Sequence, residues 1–158
     1  MFYNCTTLTS FSSDLPNLTN GYDMFDNCSQ LSSFSSDLSN LTRGASMFYG
    51  TNLTSFSSDL SNLTIGGSMF QNCTNLTSFS SDLSSLTDGY CMFQKCTNLT
   101  SFSSDLPSLT DGQYMFYNCK LDAPSVKNII DTINTNSGNK LALGMGCNNT
   151  SEDKDLFA

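Results

Sequence analysis

Residues 69–93 read MFQNCTNLTSFSSDLSSLTDGYCMF, one full unit plus the Met-Phe pair that opens the next. The same pair stands at 1–2, 24–25, 47–48, 69–70, 92–93 and 115–116, so the spacings are 23, 23, 22, 23 and 23 residues. Between the pairs the chain repeats as M-F-x-x-C-x-x-L-x-S-F-S-S-D-L-x-x-L-T-x-G-x-x. A fixed period of this length marks a solenoid, in which one coil cannot bury its own apolar side and must stack on its neighbours.

Within the unit, Leu76 and Phe79 are expected to point inward. Strand alternation over 79–82 would place Phe79 and Ser81 inside and Ser80 and Asp82 outside. Leu83 and Leu86 return to the core, and Thr87-Asp88-Gly89 reads as a turn in which Gly can supply a positive φ. Met92 and Phe93 then fill the back of the coil. Stacked about 4.8 Å apart, such units form a Phe column (Phe11, Phe34, Phe56, Phe79, Phe102) and a Leu column (Leu8, Leu31, Leu53, Leu76, Leu99). The third unit, at 47–53, is one residue short and lacks the Cys, a loss expected to fall at a bend.

The repeat ends near Leu121. Pro124 suits a first helical turn, and Val126, Ile129, Ile130 and Ile133 fall at i, i+3, i+4 and i+7, the spacing of an amphipathic helix. Residues 140–145 (KLALGM) read as a final strand. The expected architecture is therefore an α/β solenoid. It is a right-handed superhelix of about five to six coils with short parallel strands over 1–121, and a C-terminal helix–strand cap over 122–147. Residues 148–158 form a polar tail expected to open a further segment. The first coil has no matching cap, so its apolar end is expected to be covered by further repeats, another domain or a second copy.

Composition narrows the function classes. The 158 residues are 38% hydrophobic, low for a globular chain, yet the apolar residues sit at fixed slots. With 14 Asp+Glu against 6 Lys+Arg, the net charge of −8 disfavours nucleic acid and anionic membranes, which need clustered cations. No apolar run reaches 18 residues, so no membrane insertion is expected, and Met1 opens into a repeat rather than a targeting signal. Of the seven cysteines, Cys5, Cys28, Cys73, Cys96 and Cys119 share one slot. A single column of Cys reads as a stack of small hydrophobes with free thiols. The absence of His removes any zinc pattern, and no cofactor is expected.

The pattern F-x-x-C-x-x-L together with L-T-x-G-x-x-M-F resembles the BspA-like class of leucine-rich repeats over residues 1–121. That class has a consensus near 23 residues with Cys three before Leu. It departs from this chain at the strand, where an Ile/Leu-x-Ile/Leu-Pro run is replaced by Phe-Ser-Ser-Asp. The resemblance implies a surface-exposed adhesion or ligand-binding scaffold, as in bacterial and some protist surface proteins, and transfers no catalytic residue.

Three sets of residues are candidates for function. Outward Ser12, Ser35, Ser57, Ser80 and Ser103 form an invariant column. Asp14, Asp37, Asp59, Asp82 and Asp105 form a second. The plain reading of the Asp column is acceptance of turn N–H groups, and the sharper one is a calcium ladder, which carboxylates alone do not complete. An undifferentiated row of Asp also lacks the split environments that glycoside hydrolysis needs. The row of single Ser and charged Asp is likewise not the flat Thr array of an ice-binding solenoid. The third set is Tyr22, Tyr49, Tyr90, Tyr114 and Tyr117, beside the Met-Phe pairs, where the coils differ most. These either drift as exposed positions or form an aromatic stripe on the convex side that stacks on sugars. Asn-x-Thr sequons at Asn17, Asn40, Asn62, Asn75 and Asn98 follow from the repeat. The expected function is a non-enzymatic adhesion or ligand-binding module for a glycan or a host surface protein. The alternative is a structural virion component using the coils as spacer or tip. Either is expected to be extracellular, on a cell surface or a virion.

Overall fold

The structure, a computed structural model, describes residues 1–133. The expected strand over 140–145 and the tail over 148–158 lie outside the described residues. Each coil contributes one two-residue strand: β1 (Ser10–Phe11), β2 (Ser33–Phe34), β3 (Ser55–Phe56), β4 (Ser78–Phe79) and β5 (Ser101–Phe102). One helix follows, α1 (Ala123–Thr132). The strands pair in parallel with repeat-to-repeat register, Ser10 with Ser33, Ser55 with Ser78 and Ser78 with Ser101. The inward–outward alternation holds, since Phe79 and Ser81 are buried and Ser80 and Asp82 exposed. The strand itself lies one residue earlier than 79–82, because the chain leaves the ladder after Phe79.

A second parallel column runs through all five coils at Asn20, Arg43, Ile65, Asp88 and Asp111. This corrects the expected turn at Thr87-Asp88-Gly89. The turn falls instead at Ser84-Ser85, and Thr87 and Asp88 belong to a ladder, their N–H groups both donating to Thr64 O. The repeat Gly also has another purpose than a positive φ. Gly50 is the only glycine with one among the described residues. A Cβ on Gly21, Gly44, Gly66 or Gly89 would lie 2.6, 3.0, 3.2 or 3.2 Å from the Sδ of the next coil's Met. Gly is needed so that Met can press onto the backbone.

The core is a zipper of phenyl rings. Phe2, Phe25, Phe48, Phe70, Phe93 and Phe116 stack at 5.2–5.6 Å between centroids. Phe11, Phe34, Phe56, Phe79 and Phe102 stack at 5.8–6.0 Å. The two columns meet edge to face, for example Phe79 on Phe93 at 4.8 Å and 68°. Such pairs add about 0.5–1.5 kcal/mol each beyond the area they bury. Rows of Leu, Met and Cys complete this core, fully buried in the middle coils. In the first coil Phe2, Cys5, Leu8, Phe11, Leu15 and Leu18 are only partly buried.

The short third unit does not break the zipper: Phe34 and Phe56 still stack at 5.9 Å. Thr51 takes the Cys slot and is buried, its hydroxyl donating to Phe48 O at 2.9 Å. The cysteines of the same slot donate across coils instead. Cys28, Cys73, Cys96 and Cys119 each place Sγ 2.9–3.1 Å from the Phe carbonyl of the preceding coil. The missing residue lies between Thr51 and Leu53, where Asn52 N donates directly to Leu31 O at 3.0 Å. The ladder between β2 and β3 is lost at that step.

α1 packs on β5. Asp122 caps its N-terminus by accepting from Ser125 N at 2.9 Å, and Val126 and Ile129 are buried on the core, with Ile130 and Ile133 beside them.

Candidate functional site

The Met-Phe pairs lie within a turn segment that runs from two residues before Met to two after Phe. Inter-coil hydrogen bonds hold it, among them Asp23 N to Ala45 O, Asn27 N to Tyr49 O, Ser68 N to Tyr90 O and Lys95 N to Tyr117 O. Two positions in each turn are left-handed. The residue before Met is one: Asp23, Ser46, Ser68, Cys91 and Tyr114, at φ 51–59°. The second residue after Phe is the other: Asn4, Asn27, Gly50, Asn72, Lys95 and Asn118, at φ 56–63°. Asn and Gly dominate the second column because they tolerate this conformation.

These turns carry the tyrosines, though not as one continuous stripe. Tyr22 is 65% exposed, and the positions stacked on it, Ala45 and Gly67, have no aromatic ring. Tyr49 is half-buried, and its hydroxyl accepts from Asn72 Nδ2 at 2.7 Å. Gln71 and Gln94, which hydrogen-bond each other, separate it from Tyr117. Tyr90, Tyr114 and Tyr117 meet. Tyr114 packs edge to face on Tyr90 at 6.3 Å and on Tyr117 at 6.1 Å. A hydrogen bond with Cys91 raises the Tyr90 hydroxyl above its ordinary value. Nearer the N-terminus, burial and then the charge of Asp23 push the Asp26 carboxyl up, and its Oδ1 has no hydrogen-bond partner.

The Ser column, Ser12, Ser35, Ser57, Ser80 and Ser103, is exposed throughout. The Asp column is exposed too but partly committed. Asp37, Asp59 and Asp82 accept from Ser39, Ser61 and Ser84 N–H at 2.7–2.8 Å. The bond from Ser39 holds Asp37 below the usual carboxylate range. Asp14 and Asp105 are followed two residues on by Pro16 and Pro107, which have no N–H to give. Among the described residues no three acidic or Cys side chains converge as a metal would need, and no helix is long and apolar enough to cross a membrane.

The repeat slots, the parallel ladders and the Cys and Leu columns agree with one family model, the BspA type leucine rich repeat region. It matches residues 44–140 in six copies. The chain belongs to this family. The BspA-type repeat carries on in residues 1–43, which share the same slots and the same inter-coil hydrogen bonds. No curated protein matches the chain. Membership points to protein or surface binding in general, in a family that is ordinarily not enzymatic.

Proposed function

We propose that this BspA-type repeat is a non-enzymatic ligand-binding module of a cell surface, which holds a glycan or a surface protein along its tyrosine-bearing turns. The frame is a right-handed superhelix closed at its last described coil by α1, which packs on β5. One observation carries the reading: the strand face repeats the same Ser and Asp from coil to coil, whereas the turns change from Tyr to Ala, Gly, Gln and Asp. A frame can be copied, but a contact surface that discriminates among ligands needs chemistry that differs along it. The turns also carry exposed aromatic rings, the residue type enriched where interfaces bind tightly.

The test is biosensor binding of the 158-residue chain to immobilised matrix glycoproteins and oligosaccharides, with and without EDTA. Saturable binding to at least one surface is expected. It should be unchanged by EDTA, because Asp37, Asp59 and Asp82 already serve their own turns. Absence of saturable binding on every surface would contradict the proposal.

A further inference from the structure

The geometry points to Tyr90, Tyr114 and Tyr117 as a stacking subsite for one neutral sugar ring, a hexose carrying neither carboxylate nor sulfate. This rests on the turns being the contact surface and narrows that surface to one corner. Tyr114 is the middle ring, with Tyr90 and Tyr117 set against it at 83° and 88°. Tyr90 and Tyr114 remain 44% and 39% exposed, so the corner presents aromatic surface to solvent.

Two observations mark the corner as built for a ligand. Tyr114 holds φ 59°, a left-handed conformation that is an outlier for a bulky residue. Three other coils place Asp23, Ser46 and Ser68 in that slot, smaller polar residues that suit it better. Strain kept on an exposed aromatic is the kind of cost that clusters at binding sites. The second observation is charge. The Asp111 carboxylate acts on Tyr90 and sets negative charge beside the rings. The chain as a whole carries −8 and repels acidic sugars. An aromatic ring offers the apolar C–H face of a pyranose a flat partner. Gln94 and Gln113, adjacent to Tyr117 and Tyr90 in the stacked turns, carry amides that can both donate to and accept from sugar hydroxyls.

The experiment is a glycan array of neutral, sialylated and sulfated oligosaccharides, followed by calorimetric titration of a neutral hit with Tyr114→Gly and Tyr114→Phe. Gly relieves the backbone strain and removes the ring, so Tyr114→Gly should melt higher than wild type yet bind at least about tenfold more weakly. Tyr114→Phe should retain most of the affinity. The inference is overturned if Tyr114→Gly binds like wild type, or if the array lights only for acidic glycans or stays blank. A blank array with saturable binding to a surface protein sinks the sugar subsite and leaves the broader reading standing. Loss of binding to every surface sinks both.

Discussion

Gly66 illustrates how tightly single residues are specified. Its N–H donates to Asp88 O at 2.8 Å, and a Cβ there would sit 3.1 Å from Leu86 Cδ1 and 3.2 Å from Met92 Sδ. Gly66→Ala should therefore cost about 1–3 kcal/mol in urea denaturation by overpacking, with the backbone angle playing no part. The thiol column makes a second prediction. Burial pushes Cys73 up to about 11 and raises Cys96 as well, against an ordinary value of 9.0. Because the folded values lie above the unfolded one, the contribution of these thiols is complete below about pH 9. It is lost as pH climbs through the folded values. Stability measured from pH 7 to 11 should be flat at first and then fall. The double variant Cys73→Ser, Cys96→Ser, which keeps a donor but does not titrate, should lessen that fall.

At the scale of elements, α1 does more than present an apolar stripe to the core. Its other stripe satisfies the open edge of the last coil. Ser125 Oγ accepts from Phe102 N at 2.8 Å, Asn128 Nδ2 donates to Ser104 O at 3.0 Å, and Thr132 Oγ1 accepts from Leu106 N at 3.3 Å. An edge left unpaired would cost a desolvated N–H or C=O at each position. Ser125→Ala should speed amide hydrogen exchange at Phe102 and destabilise by about 1–3 kcal/mol, while leaving amides in β1 and β2 unchanged. The apolar stripe, Val126, Ile129, Ile130 and Ile133, was legible from its spacing because burial follows periodicity. The polar stripe was not, because Ser125, Asn128 and Thr132 acquire meaning only from the ladder they meet. Thr51 in the Cys slot is the same kind of case. It fills the Cys slot but donates to Phe48 O of its own coil, where each Cys donates to the preceding coil's Phe carbonyl, a difference that residue spacing does not display.

Over the whole molecule, the period and the Phe and Leu columns were readable because each slot falls in one stack, and two interlocked columns of rings follow from them. The site was less readable. Its tyrosines lie on three different slots of irregular turns, and whether the rings meet depends on left-handed residues such as Tyr114 and Cys91 that no periodicity reports. What results is a frame with uniform exposed Ser and Asp on its strand side, and with chemical variety in the turns and in the ladder column of Asn20, Arg43, Ile65, Asp88 and Asp111. The most direct measurement compares two variants against the same bound ligand on the same sensor surface. One replaces the strand column Ser12, Ser35, Ser57, Ser80 and Ser103 by Ala. The other replaces Tyr90, Tyr114 and Tyr117 by Ser. With both shown to be folded by their melting transitions, the strand variant should bind within about twofold of wild type and the tyrosine variant at least about tenfold more weakly. Loss of binding in the strand variant, with binding kept in the tyrosine variant, would contradict the account.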